Sequence, residues 1–137
     1  MPKRESIGQR LHRLRRERGL SQRDISSPGI SYAYISRIEA GARTPSVKAM
    51  RRLAEKLGVS VEYLETGRAT AVEQGVAEAG LDFGSLTAAE LRAVQRAADE
   101  GAREGARAAA LEVTKQRRKA EAAKLRTRLR ELEQAEH

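Results

Sequence analysis

Apolar residues in the first half of the chain recur every three or four positions, which is typical of short amphipathic helices. Residues that cap or stop helices separate these runs. Five helices are predicted, beginning at Ser6, Ser21, Ser31, Pro45 and Ser60 and stopped by Gly19, Pro28, Gly41, Gly58 and Gly67. No stretch alternates apolar and polar residues convincingly, as a half-buried strand does. The pattern predicts a compact all-α bundle over residues 1–68.

The second half of the chain has a different pattern. Residues 69–86 contain three glycines and scattered apolar positions, so we predict a linker with one short helix over Val72–Ala79. Thr87 and Glu90 then have the spacing of a capping box. The proline-free run that follows is rich in Ala, Glu, Arg and Leu, and it predicts a long C-terminal helix that makes residues 87–137 an assembly segment.

Leucines near the end of this helix repeat at spacings of three and four, as in the seam of a coiled coil. They are Leu125, Leu129 and Leu132. Upstream the same register meets Lys115 and Arg118, so the seam covers fewer than two heptads. A single helix cannot bury these leucines against itself, which predicts that a second copy of the chain or a partner protein covers them.

Basic residues dominate the first half. Residues 1–68 hold 15 Lys and Arg against 7 Asp and Glu, whereas residues 69–137 hold 12 against 12. The whole net charge of +8 therefore lies in the first half. Such a balance indicates a nucleic-acid partner or, less often, an acidic membrane surface, and the alternative is a solvated basic face that serves solubility.

Composition narrows the class of protein further. Aromatic residues make up only 3% of the chain, which favours a core of aliphatic residues and alanine. Cysteine is absent, no apolar run has the length of a membrane span, and no apolar region follows the first five residues. We therefore expect a cytoplasmic, nucleoid-associated protein with no membrane partner.

Few residues suit catalysis or metal binding. The two histidines are His12, on the predicted polar face of the first helix, and His137. Neither has a metal-ligand or base partner at a recognisable spacing, so we expect no enzymatic activity, no cofactor and no metal site. Gly101 and Gly105 have GxxxG spacing, but the segment is too polar for a membrane helix, which favours an ordinary helix rich in alanine and glycine.

Turn, cap and core residues over positions 7–67 occur in the order of a known family. The chain resembles the Cro and phage-repressor (XRE-type) helix-turn-helix proteins, which are DNA-binding regulators of bacteria and phages. The matching residues include Arg15, Gly19, Leu20, Ser21, Gln22, Ile25, Gly29, Ile30, Ser31, Ile35, Ile38, Glu39, Gly41, Pro45, Leu53, Leu57, Gly58, Ser60, Tyr63 and Leu64. The C-terminal segment has no counterpart in this resemblance.

The resemblance implies that the predicted helix over Ser31–Ala40 enters the major groove of DNA and that the helix over Ser21–Ser27 crosses the backbone. It implies base contacts from Tyr32, Ala33, Ser36 and Arg37. It implies phosphate contacts from Gln22, Arg23, Tyr34, Arg43, Thr44, Ser46 and Lys48. Tyr34 is equally compatible with the core. An arginine and a glutamate of the family form a structural ion pair, and Arg15 and Glu39 match those positions.

One departure concerns the turn before the helix over Ser31–Ala40. This turn is one residue shorter than in the family and contains Pro28.

The favoured function is a transcriptional regulator that reads a pseudo-palindromic operator in double-stranded DNA as a homodimer joined by its C-terminal helix. One alternative is an antitoxin-like or phage accessory protein whose tail binds a partner protein. Another is a nucleoid-type protein that bridges DNA with little sequence preference.

Overall fold

The computed structural model describes residues 4–136, and residues 1–3 and His137 lie outside this range. The predicted all-helical class is confirmed. The elements are α1 (Ile7–Glu17), α2 (Tyr32–Glu39), α3 (Val47–Leu57), α4 (Val61–Thr66), α5 (Ala71–Glu78), a 3-10 turn (Phe83–Ser85) and α6 (Ala88–Ala135). In the part of the chain that the structure describes, no helix is long and apolar enough to cross a membrane.

Serine residues cap all four helices of the first half. The hydroxyls of Ser6, Ser31 and Ser60 each accept a hydrogen bond from the backbone N–H three residues later, which confirms the predicted starts of α1, α2 and α4. The predicted start of α3 is wrong by two residues. Ser46 is its N-cap, with the hydroxyl 3.1 Å from the backbone nitrogen of Ala49, so Pro45 precedes the cap instead of opening the helix.

The helix predicted over residues 21–27 is also wrong, because the backbone makes only a single turn over Gln22–Ile25. A tight reversal follows at once: the N–H of Ile30 donates to the carbonyl of Ser27 over 2.8 Å, and Gly29 has a φ of +84°. Proline is favoured at the second position of such a β-turn, and glycine at the third position, where φ is positive. Pro28 and Gly29 occupy these positions, and the reversal leaves no room for a second helical turn. Ile25 and Ile30 still enter the core.

The second half contains a separate small core. The helix predicted over Val72–Ala79 is α5, displaced by one residue, and its N-cap Thr70 forms a capping box with Glu73. It packs against α6 around a cluster made of valines and alanines: Val72, Val76, Val94, Ala98, Ala106, Ala110 and Val113. Glu73 also accepts hydrogen bonds from the backbone and hydroxyl of Ser60, so the segment predicted as a linker contacts the N-cap of α4 in the first bundle.

The long C-terminal helix begins at the predicted capping box of Thr87 and Glu90 and remains helical to Ala135, apart from a sharp break at Gly101 and Ala102. The break divides α6 into a first arm (88–100) and a second arm (103–135), which return alongside each other. Arg117 Nη2 lies 2.8 Å from Glu90 Oε1, although the two residues are 27 positions apart. A straight helix would separate them by about 40 Å.

Small residues allow the arms to approach so closely. A Cβ on Gly105 would lie 2.0 Å from the carbonyl oxygen of Ala97, and one on Gly75 of α5 would lie 2.6 Å from the Cβ of Ala106.

The ion pair of Arg117 with Glu90 closes the open end of this hairpin. Hydrogen bonds from Arg117 and from the backbone of Thr87 lower the pKa of Glu90 to about 2.

We expect the substitution Ala102→Gly to raise the free energy of unfolding by about 1 kcal/mol. Ala102 has a φ of +50° and a ψ of −136°, a conformation that is costly for residues other than glycine. Denaturant titration of the full chain measures the change. The matched control is Ala108→Gly, an exposed position inside the second arm, which should lower stability by about 1 kcal/mol. Equal losses in the two variants would mean that the chain is helical at residue 102.

Candidate nucleic-acid interface

Helix α2 presents one face to the core and the other to solvent. Ile35 and Ile38 are fully buried, with 0% and 1% of their surface exposed. The four residues predicted to read bases are all exposed, on the side of α2 that points away from the core: Tyr32, Ala33, Ser36 and Arg37. Their spacing of one, three and one places them on neighbouring turns of one helical face. This face, together with the cap at Ser31, is the outer surface of α2.

The two tyrosines of α2 lie in different environments. Tyr34 is half-buried against the first core, and its hydroxyl accepts a hydrogen bond of 3.1 Å from the backbone N–H of Ser46. It therefore links α2 to the start of α3. Tyr32 is 51% exposed, and the guanidinium of Arg23 lies 5.0 Å from the centre of its ring. This cation–π contact connects the single turn before α2 to the outer surface.

A basic cleft of about 440 Å³ runs beside α2. Its walls carry four cationic side chains, Arg37, Arg43, Lys48 and Arg52. Arg43 also stacks over the ring of Tyr34, with its guanidinium carbon 5.3 Å from the ring centre. Sequence analysis missed Arg52, whose guanidinium donates to the carbonyl of Pro28 and so spans the cleft from α3 to the shortened turn. The only sequence signal for it was the Arg-Arg pair in α3.

Five cations of this region have no acidic partner among residues 4–136, since no ion pair there involves Arg23, Arg37, Arg43, Lys48 or Arg52. Thr44 and Ser46 lie exposed in the same loop, ahead of α3. Gln22 is half-buried and opens the single turn. Uncompensated positive charge beside an exposed helix favours an anionic ligand of extended shape, since each phosphate of a nucleic acid can neutralise one cation.

An ion pair behind α2 holds it against α1. Arg15 Nη2 lies 2.8 Å from Glu39 Oε1, and Arg15 Nε lies 3.0 Å from Oε2, so the contact is bidentate. The side chains are only 9% and 6% exposed. Arg15 also donates to the carbonyl of Leu20, and Nδ1 of His12 lies 2.7 Å from Glu39 Oε1. Sequence analysis gave His12 no partner, because a contact over 27 residues leaves no local pattern.

A second buried arginine escaped sequence analysis. Arg10 is only 5% exposed, and its guanidinium donates to the backbone carbonyls of Leu64, Glu65 and Glu5. It therefore closes the end of α4 onto α1 and satisfies carbonyls that the last turn of α4 leaves free. Arg10 lies in a helix with several other arginines, and nothing in its spacing distinguishes it from them.

The exposed helix, the basic cleft and the two buried arginine contacts together define a small helical domain of the nucleic-acid-binding class. Comparison with known proteins agrees with this class. The helix-turn-helix family model matches residues 11–64. An uncharacterized HTH-type transcriptional regulator, y4dJ of Sinorhizobium fredii, is 43% identical over 67 residues, which cover 48% of this chain and 87% of that protein.

A second relative is the HTH-type transcriptional regulator DdrOP3 of Deinococcus deserti, which is 37% identical over 78 residues. That alignment covers 51% of this chain and 60% of the relative. No solved structure gives a significant match. The chain belongs to the helix-turn-helix family of DNA-binding transcription regulators.

Proposed function

We propose that the chain binds a specific operator in double-stranded DNA as a homodimer, with α2 of each copy in the major groove. The observation that carries the proposal is the set of uncompensated cations around the outer surface of α2. A helix fits the major groove, and side chains on its first turns reach base edges. A single α2 covers only a few base pairs, so two copies on adjacent half-sites give usable specificity.

In this proposal the outer surface of α2 reads bases. Arg37 donates two hydrogen bonds to O6 and N7 of a guanine, and Tyr32 contacts a base or a thymine methyl group. Ala33 offers an apolar contact and Ser36 a hydroxyl. The phosphate contacts come from the residues on either side of α2: Gln22, Arg23, Tyr34, Arg43, Thr44, Ser46 and Lys48. Because the hydroxyl of Tyr34 already binds the backbone of Ser46, Tyr34 supports this loop and reaches phosphate only by sharing that hydroxyl.

The substitution Arg37→Ala should lower affinity for the preferred site by about 1–3 kcal/mol and relax sequence preference at one base pair. Arg43→Ala should weaken specific and random duplexes by similar factors and reduce the salt slope of log K by about one, because phosphates carry no sequence information. The site is first selected from random duplexes with the wild-type chain. Binding of both duplexes is then titrated at several salt concentrations.

Arg68→Ala is the matched control for these variants, since Arg68 is an exposed arginine outside the basic cleft. It should leave both affinities within about twofold of the wild type. If Arg37→Ala weakens specific and random duplexes equally, Arg37 does not read a base. The shortened turn at Pro28 is then the first feature to re-examine, because it sets the direction in which α2 enters the groove.

A further inference from the structure

We propose that two copies of the chain pair through residues 121–133 as a parallel, in-register, two-stranded coiled coil. This inference rests on the proposed function, in which the chain acts as a homodimer, and adds the orientation of the two copies. It begins with the second arm of α6. The last buried residue of that arm is Val113, and the last residue that forms a hydrogen bond or ion pair with the first arm is Arg117, so the following turns project beyond the hairpin.

The projecting part carries an uncovered apolar stripe. Ala122, Leu125, Leu129 and Leu132 follow one another at spacings of three, four and three, which places them at the a and d positions of a heptad. The three leucines are 55%, 58% and 57% exposed, whereas the valines of the hairpin core are at most 9% exposed. The stripe is short, so the charges beside it have a large influence on which partner and which orientation are stable.

Charges on the two edges of the stripe complement each other in a parallel pair. Glu121 and Arg128 occupy g positions, and Arg126 and Glu133 occupy e positions. In a parallel coil each g residue faces the e residue five positions later in the other copy. Glu121 then faces Arg126 of the second copy, and Arg128 faces Glu133 of the second copy. Two-fold symmetry doubles these contacts to four, and all of them are attractive.

An antiparallel pair with the same leucine overlap places the charges less well. There e positions face e positions and g positions face g positions. Arg126 would then approach Arg126 of the second copy, and Arg128 would approach its own counterpart, so two like-charge contacts arise. Lys119 with Glu133 would be attractive and would occur twice by symmetry, so two attractions would only offset the two repulsions. Like charges held together on a helix surface are destabilising by amounts similar to those that opposite charges contribute.

The orientation decides where the two DNA-binding halves lie. The segment from residue 118 to 135 is about 27 Å long as a helix. In a parallel pair both copies of α2 are at the same end of the coil and can face one duplex. In an antiparallel pair they lie at opposite ends, which suits the bridging of two duplexes. The charge pattern therefore favours a dimer that reads one operator over a dimer that bridges DNA.

Cross-linking through a single cysteine tests the orientation, because the chain contains no cysteine of its own. The variant Leu132→Cys is treated with oxidised glutathione and run on a non-reducing gel. In the parallel pair the two cysteines meet at one d layer, and a covalent dimer should form. In the antiparallel pair residue 132 lies level with residue 122 of the other copy, about 15 Å along the axis from its counterpart, which is too far for a disulfide.

Gln134→Cys is the matched control, since residue 134 occupies an f position on the opposite face of the same turn. It should form far less covalent dimer than Leu132→Cys. If Leu132→Cys is dimeric by light scattering but does not cross-link faster than Gln134→Cys, the parallel orientation is wrong. The homodimer of the proposed function would survive that result.

A charge exchange tests the pairing itself. Glu121→Arg alone and Arg126→Glu alone should each weaken the dimer about tenfold, because each turns two attractions into repulsions. The double variant restores opposite charges and should regain most of the wild-type affinity, measured by sedimentation at several concentrations. No recovery in the double variant would contradict the pairing. A wild-type chain that is monomeric at every concentration would overturn both the coiled coil and the proposed homodimer. DNA binding is titrated separately on a half-site, which tests that part of the proposed function on its own.

Discussion

Replacing Glu39 by alanine should lower the free energy of unfolding by about 3–5 kcal/mol, because it leaves the guanidinium of Arg15 buried without its carboxylate. Arg15 is only 9% exposed at its side chain, and without Glu39 only neutral groups remain near it: the carbonyl of Leu20 and Nδ1 of His12, which lies 3.2 Å from its Nη2. The ion pair joins α1 to the end of α2, so its loss also loosens the helix proposed to read DNA. Denaturant titration followed by helical circular dichroism measures the change.

Two variants control this experiment. Glu55→Ala removes an exposed glutamate of α3 and should change stability by less than about 0.5 kcal/mol. Arg15→Leu combined with Glu39→Leu removes both charges together and should recover most of the loss, since no charge is then left unpaired. A loss below about 1 kcal/mol for Glu39→Ala would show that water reaches Arg15 and that the pair contributes little.

The same ion pair predicts how stability depends on pH. Burial acts to raise the pKa of Glu39, but hydrogen bonds from Arg15 and His12 outweigh it and hold the pKa below the usual value of 4.5. A carboxyl whose pKa is lowered by folding contributes stability above its unfolded pKa and loses it as the pH falls through its folded pKa. The wild-type chain should therefore lose stability below about pH 4.5. The double leucine variant should lose less over the same range.

Combining Leu125→Glu with Leu129→Glu should convert the dimer to a monomer and lower affinity for a full operator by about a hundredfold or more. The added carboxylates bring like charges together in the middle of the apolar stripe, and each copy then binds its half-site without help from the other. Affinity for an isolated half-site should stay near that of the wild type. Light scattering gives the mass, and titration of full and half operators gives the affinities.

Ala120→Glu combined with Thr127→Glu supplies the matched control, because both residues lie on the face of the same arm opposite the stripe. This variant carries the same added charge and should remain dimeric. If the leucine variant keeps the wild-type mass and binds the full operator equally well, the terminal leucines are not the dimer contact. If the chain is monomeric both with and without the substitutions and still binds DNA, the result would instead indicate a partner protein on this surface.

Local chemistry was sufficient to predict much of the fold. A serine that accepts from the N–H three residues later and an apolar repeat of three and four are properties of a few neighbouring residues. They predicted the starts of α1, α2 and α4 and the end of α3 at Gly58, where φ is +70°. The exposed face of α2 follows in the same way, since burying Ile35 and Ile38 turns Tyr32 and Arg37 outward.

Contacts between distant residues decided the rest. The spacing of Gly101 and Gly105 suggested an ordinary helix, but the chain reverses there because Gly105 lets the arms meet at Ala97 and because Arg117 reaches Glu90. An Ala-rich sequence has nearly the same local preference for a straight helix as for two shorter ones, so these contacts and the packing against α5 together select the hairpin.

The sequence by itself determined where most helices begin and end, which face of each is apolar, and that the positive charge belongs to the first half. Only the tertiary structure decided that Arg10 is buried and structural whereas Arg52 lines the basic cleft. Nothing in the local sequence distinguishes these two side chains. Their roles differ because a guanidinium is stable inside the protein only where distant carbonyls or a carboxylate meet it, and those partners come together only when the helices pack.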